Sequence, residues 1–495
     1  MELLLRIGSR LLNRYVVIIG LLVLLGAGYA YVSSLTGEAH EQFLYFVHDF
    51  LPIVMFLTLA CLLFSGFPVA FILGGLAMLF GLIGYFLGIF KLIEFFNFMP
   101  RIWGQAAENL VLVAIPAFVF MGVMMERSGI ANDLLYCVQV LLKRVPGALA
   151  LAVTIMGTIL AAMTGIIGAS VTMMTALALP TMLRQGYSHG LACGVIAASG
   201  TLGILIPPSI MLIIMADLLA VSAGDVFATA IMPGLFLAFL YMVYVVAVAT
   251  LKPAMAPPLP PEMLQVPKGR MTGLLFRAFI PPVFLIGMIK GAILFGWATP
   301  SEAGAVGAFG ALLLALFAGR MNLGLLQGVC HTAGRTVAMI FFIIISATCF
   351  AYVYRSLGGD DIVEHLIKSS GLGDWGFLIL IMAITFALGF FLDWIEITLI
   401  VLPVFAPLVA GLDFGEHVPK EMITYWFITL MAVNLQTSFL TPPFGFALFY
   451  LKGIAPKEVK IQSIYKGIVP FVLLQLVALI IVMAFPNLAL WLITP

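Results

Sequence analysis

Apolar runs about as long as a membrane-spanning helix recur along the whole chain, and two of them are interrupted by adjacent prolines. In lipid every backbone N–H and C=O must find a partner inside the protein, so only helices and closed barrels span. The runs lie at about 15–32, 51–65, 68–90, 110–125, 145–163, 168–184, 189–221, 226–250, 273–297, 302–318, 333–352, 375–392, 394–411, 422–451 and 465–490. They predict an all-α polytopic membrane protein. Charged residues make up 9% of the chain and the mean hydropathy is +1.20. A soluble domain carries about 25% charged residues. A formal charge of +1 gives no basic surface for nucleic acid.

The ends of these runs carry the topological signals. Arg6, Arg10 and Arg14 precede the first run, and Glu38, Glu41 and Asp49 follow it. The positive-inside rule therefore puts the N-terminus in the cytoplasm. Small residues from Gly26 to Ala30 give a cleaved signal peptide as the competing reading, against which the run is long enough to span. Residues 252–270 hold six prolines among Lys252, Lys268 and Arg270, a linker composition expected on the cytoplasmic side. The chain divides accordingly: 1–50, an extra N-terminal helix and loop; 51–251, a first half; 252–272, the linker; and 273–495, a second half.

The prolines give the halves a common order. Pro207-Pro208 in "SGTLGILIPPSIML" and Pro442-Pro443 in "LQTSFLTPPFGFAL" lie 235 residues apart. Upstream, "GASVTMMTALALP" and "FLDWIEITLIVLP" align at an offset of 223, which sets Ser170 on Asp393 and Pro180 on Pro403. Proline removes an N–H donor and clashes with the preceding turn, so each pair marks unwound backbone. Repeats of interrupted helices mark many secondary transporters, with the substrate site between the repeats. A simple proline kink is the plainer reading of either break.

Candidate site residues follow from the breaks. Gly165 and Gly168 permit a reversal, while Thr164, Ser170 and Thr172 supply oxygens. Helix ends meeting there would offer N–H groups to a carboxylate and carbonyls to Na⁺. A glycine-lined helix contact is the alternative. Ser199 and Thr201 precede the first proline pair, and Asn434, Gln436, Thr437, Ser438 and Thr441 the second. Asp393 and Glu396, three residues apart in an apolar run, mark an ion or proton path unless they sit solvated at the membrane boundary. Asp393, Glu396, Ser199, Thr201 and Gln436 are the candidate ion-site residues at these breaks. Arg355 is read as ending a helix beside Asp360 and Asp361, with neutralisation of a substrate carboxylate as the alternative, and Thr299 with Glu302 as a capping box. Asp225 after Gly224 is read as helix-start chemistry. The five cysteines stand singly and are read as small core residues, and the isolated histidines give zinc little support.

The segments "SGTLGILIPPSIMLI", "TPSEAGAVGA", "FFLDWIEITLIVLPVFAP" and "NLQTSFLTPPFGFALFYLKG", with "GFPVAF" at 66–71, resemble the large membrane subunit of tripartite ATP-independent periplasmic (TRAP) transporters over about residues 51–490. The resemblance implies a multi-pass inner-membrane elevator transporter of the inverted-repeat type, with scaffold helices and two re-entrant hairpins. It also implies Na⁺-driven uptake, a periplasmic binding protein that delivers an organic acid, and a small four-helix membrane subunit. Carried over, Thr164, Gly165 and Ser170 fall in the first hairpin. Thr437, Ser438, Thr441 and Pro442 fall in the second, and Asp393 lies near a sodium site. Tips are expected at 163–170 and 436–443. Ile166-Ile167, Glu396 and the pair Phe444 and Phe446 depart from the commoner pattern and look like the branch labelled for mannitol or chloroaromatic compounds, whose substrates are 2-oxo and related acids. A channel is the rival reading, since broken helices also build filters. An enzyme has little support: "GLGD" at 371–374 lacks a Tyr-Asp partner for an intramembrane aspartyl protease, and it reads as a loop.

Overall fold

Helices formed by the apolar runs dominate the structure, a computed structural model that describes residues 38–63, 67–164, 167–258, 268–362, 371–390, 392–442 and 445–493. The expected N-terminal span at 15–32 lies outside them. No strand occurs among the described residues. In chain order the main helices are α1 (Glu38–Leu63), α2 (Val69–Phe86), α3 (Ala114–Arg127), α4 (Ile130–Leu141), α5 (Ala148–Thr164), α6 (Ile167–Arg184), α7 (His189–Thr201), α8 (Ile210–Leu218) and α9 (Ala223–Leu251). After the linker come α10 (Ile280–Leu294), α11 (Pro300–Phe317), α12 (Leu323–Ser356), α13 (Asp374–Leu388), α14 (Trp394–Ala410), α15 (Ile423–Leu440), α16 (Phe446–Ile454) and α17 (Ile461–Ala484). Among the described residues eight helices are long and apolar enough to cross a membrane, or nine if α3 and α4, bent by 66°, form one span.

Helix starts carry their own caps, because the first N–H groups of a helix have no intrahelical partner. Ser188 opens α7 by accepting from the Leu191 N–H at 3.3 Å, and Ser222 opens α9 by accepting from the Asp225 N–H at 3.3 Å. Thr299 and Glu302 form the expected capping box of α11, with the Thr299 N–H donating to Glu302 Oε2 at 2.8 Å. Arg355, in the last turn of α12, pairs with Asp360 at 3.4 Å, as its position beside that residue led us to expect. Cys137, Cys193 and Cys349 are buried, but Cys61 and Cys330 are exposed, contrary to expectation. Those two sit on outer helix faces and not in the core.

The chain forms two compact units, residues 1–107 with 343–371, and residues 108–342 with 372–495. In the first, Tyr352 accepts a hydrogen bond from Asn97 at 2.8 Å, and Arg101 lies 4.4 Å over its ring. The second unit contains both proline breaks. At its centre is α15, part of a span that is 89% buried inside the protein, whereas the α11 span is only 28% buried. Protein, not lipid, surrounds α15.

The second unit is built twice. The helices α5 to α9 and α13 to α17 make the same contacts with the halves exchanged. The short piece α8 packs on α14, and its counterpart α16 packs on α6. Likewise α17 packs on α7 while α9 packs on α15, and α7 meets α15 directly. The α7–α17 crossing is close because both helices present glycine: a Cβ on Gly467 would collide with the Gly190 carbonyl, and one on Gly194 with the Gly467 carbonyl. Close backbone approach of this kind replaces the hydrophobic drive that lipid does not supply.

Candidate functional site

Each half contributes one hairpin and one broken helix. The first hairpin is α5 and α6, which are separated by residues 165–166, outside the described ones. Its open end is closed by Tyr187, whose hydroxyl bonds the backbone of Leu149 and Ala150 at the start of α5. The second hairpin is α13 and α14, joined through 389–393. Here the Asp413 N–H donates to Asp374 Oδ2 at 2.9 Å, tying the end of one arm to the start of the other. The broken helices are α7 with α8, around Pro207-Pro208, and α15 with α16, around 441–445. Both second pieces are nine residues long.

This corrects one expectation. The tip expected at 436–443 is not a hairpin tip: its described residues, 436–442, are the last turn of α15 and the turn after it, the counterpart of 199–208. The hairpin turn of the second half is 389–393, a largely apolar stretch without proline. The two features nevertheless meet. A Cβ on Gly389 would collide with the side chain of Ser438, so the turn rests directly on the end of α15. In the first half it is the middle of α5 that meets the end of α7: a Cβ on Gly157 would come within 2.6 Å of Ser199 Cβ.

Asp393 and Glu396 start α14. The Trp394 N–H donates to Asp393 Oδ1 at 2.8 Å, and the Asp393 N–H donates to Glu396 Oε2 at 3.1 Å. They form a capping box, the same device as Thr299 and Glu302, and one carboxylate oxygen of each is thereby spent on the backbone. The spacing Asp-x-x-Glu was the signal for it. Both residues are half-buried.

The remaining candidates divide by how their oxygens are used. Thr437, Ser438 and Thr441 donate to the carbonyls of Val433, Leu435 and Thr437 at 2.7–2.8 Å, which leaves their lone pairs as acceptors. Thr201 does the same to Ala198 at 2.9 Å. Ser199 is fully buried and its hydroxyl has no partner among the described residues. Gln436, also fully buried, donates its amide to Tyr241 Oη at 3.5 Å while its carbonyl oxygen lacks a partner among the described residues. Tyr241 takes a second, shorter bond of 2.6 Å from Gln475 of α17. Asn434 spans from α15 to the first arm of the second hairpin, donating to Met382 O and Thr385 Oγ1 at 2.8 Å each. Ser170 is buried in the first turn of α6. Thr164 ends α5, Pro442 lies in the turn after α15, and Gly165 falls outside the described residues.

Tyr450 went unnoticed in the sequence and links the two tips. Its ring carbons lie 3.1–3.5 Å from where a Cβ on Gly168 would stand, and the carboxylates of Asp393 and Glu396 act on its phenol electrostatically. Only its place in α16, one turn past the break, marks it in the sequence. Among the described residues no three His, Cys, Asp or Glu side chains could share a metal ion.

Residues 56–488 match the protein family described as "Tripartite ATP-independent periplasmic transporter, DctM component". This chain belongs to that TRAP large-permease family. One relative is the C4-dicarboxylate TRAP transporter large permease protein DctM of Pseudomonas aeruginosa, 30% identical over 390 residues, covering 78% of this chain and 87% of that protein. The ectoine TRAP transporter large permease protein TeaC of Halomonas elongata is 27% identical over 443 residues, covering 89% and 98%. Among solved structures the YdaH transporter of Alcanivorax borkumensis shares the fold, with a TM-score of 0.55 at 14% identity over 81% of this chain and 88% of that one. As a TRAP large permease, the chain is a multi-pass inner-membrane transport subunit and not an enzyme, and it works with a periplasmic binding protein and a small membrane subunit.

Proposed function

We propose that this permease imports an organic carboxylate in symport with Na⁺, and that its second unit contains the elevator that carries both. The observation behind this reading is the exchanged docking of two hairpins and two broken helices, which gathers helix ends, hydroxyls and a pair of carboxylates in one unit. Free N–H groups at a helix start favour an anion, and carbonyls at a helix end favour a cation. The substrate carboxylate is assigned to the Thr164–Ser170 turn and to Thr437, Ser438, Thr441 and Pro442. Na⁺ is assigned to Asp393, with Ser199, Thr201, Gln436 and Glu396 contributing oxygen atoms or orienting them.

The names of the relatives support an acidic substrate: C4-dicarboxylate, ectoine and 2,3-diketo-L-gulonate each carry a carboxylate, and isethionate carries a sulfonate in its place. A 2-oxo or related acid is the substrate class proposed here. The N-terminus and the linker are assigned to the cytoplasm from their arginines and lysines.

Reconstitution in liposomes tests the proposal. Binding protein, small subunit, this chain and an inward Na⁺ gradient together should drive carboxylate uptake, and omitting any one should abolish it. Uptake that persists without Na⁺ would remove the symport, and uptake restricted to uncharged polyols would remove the carboxylate.

A further inference from the structure

The second unit carries a pocket away from both breaks. It is a cavity of about 700 Å³ between the start of α4, the first turns of the α10 span and the end of α11. Two arginines line it. Arg320, three residues past α11, donates to Asp133 Oδ2 at 2.7 Å and to the Ser128 carbonyl at 3.2 Å, which fixes its guanidinium. Arg277 makes no hydrogen bond or ion pair with another described residue, so Asp133 neutralises only one of the two charges. The rest of the wall is apolar, and Phe276 and Phe317 stand 62% and 79% exposed at its rim.

The height of the pocket follows from chain direction. The α10 span runs from Met271 to Leu294 and the α11 span from Pro300 to Phe317, so the start of the first and the end of the second lie at one membrane face. Arg277 is in the second turn of its span and Arg320 just beyond the end of its own. Both charges therefore sit at the level of lipid headgroups, on the face from which the proline-rich linker enters the second half. Exposed aromatics at that level are interface anchors.

We infer that this pocket binds the phosphodiester of an anionic glycerophospholipid, such as phosphatidylglycerol, with Arg277 as the principal contact, Arg320 as the fixed second one, and an acyl chain running down past Leu314 and Phe317. A net positive pocket between membrane helices complements an anionic headgroup, and a guanidinium presents paired N–H donors to phosphate oxygens. Apolar walls leading toward the hydrocarbon favour a lipid over a soluble phosphate ester.

The test is native mass spectrometry of the delipidated chain titrated with phosphatidylglycerol, phosphatidylcholine and soluble glycerol 3-phosphate. The wild type should retain one phosphatidylglycerol that phosphatidylcholine displaces poorly, and glycerol 3-phosphate should not compete. Arg277→Gln should weaken that lipid by roughly fivefold, the loss expected for one basic residue near a membrane surface, and Arg277→Lys by less. Arg277 has no partner among the described residues to lose, and elution as a single monodisperse peak verifies that each variant is folded. Equal affinity for the two lipids, no change in Arg277→Gln, or competition by glycerol 3-phosphate would each overturn the inference. So would a pocket that the small subunit blocks against lipid in the assembled complex. None of these readouts depends on transport.

Discussion

Asp393 has two duties at one position, and substitution can separate them. Its carboxylate caps α14, and it is the proposed charge for Na⁺. Asparagine caps a helix about as well as aspartate. Asp393→Asn should therefore keep the fold, with a melting temperature close to wild type, while raising the Na⁺ concentration for half-maximal uptake by roughly tenfold, the equivalent of one lost charge-assisted contact. Asp393→Ala should show the same sodium defect and also lose about 1 kcal/mol of stability from the missing cap. An unchanged sodium titration in Asp393→Asn would free this residue from the ion site. Glu396→Gln should do less, since glutamine still fills the capping box. The sequence made these carboxylates conspicuous because charge in an apolar run is costly. It made Tyr450 inconspicuous, since an aromatic among apolar neighbours has no pattern to distinguish it. Tyr450→Phe should alter the apparent affinity for substrate or Na⁺ without changing stability, and flat kinetics in that variant would limit Tyr450 to packing.

Element by element, the breaks announced by proline were legible and the one without proline was not. Pro207-Pro208 and Pro442-Pro443 marked the two broken helices at their observed places, because a proline pair cannot continue a helix. The turn at 389–393 carries one glycine and otherwise reads as a continuous apolar run, so the second hairpin was expected one element too late. What creates that turn is tertiary: Gly389 pressed against Ser438, with Asp393 and Glu396 restarting the helix. Gly389→Ala should therefore reduce uptake severalfold or more, because misplacing a site by a fraction of an ångström carries a large kinetic penalty. Adding Ser438→Gly removes the side chain it strikes and should restore part of the accompanying loss of melting temperature, the readout chosen because Ser438 is itself a proposed substrate contact. If the double variant is as poor as the single one, the contact is not what positions the turn. Contact between α6 and α16 is checked separately by a cysteine pair at Gly168 and Tyr450 in a background without the five native cysteines. A short bifunctional thiol reagent should bridge it, and if it does not while a pair at Asp374 and Asp413 is bridged, the first hairpin does not rest on α16.

At the scale of the whole molecule, the covalent link between the halves matters less than their exchange of surfaces. Each half's hairpin lies against the short piece of the other half's broken helix, and each closing span against the other's first piece. Neither half can bury those faces alone, and the buried Thr229–Thr429 and Tyr241–Gln475 hydrogen bonds cross between them as well. The linker begins as part of this packing: Met255 accepts from the Ser188 N–H at 3.0 Å, just past the first hairpin. Cutting the chain within 259–267 would spare that contact and every exchanged one. We expect residues 1–258 and 268–495, expressed together as separate chains, to copurify and, with the other TRAP components, to retain a measurable share of wild-type uptake. Loop closure over a linker of this length contributes only a few kcal/mol, against an interface that runs the length of several helices. Tagged first halves should bring down the second half from detergent. Should both halves insert but fail to copurify, the exchanged contacts are too weak to hold the unit, and the linker is what keeps the two repeats in register.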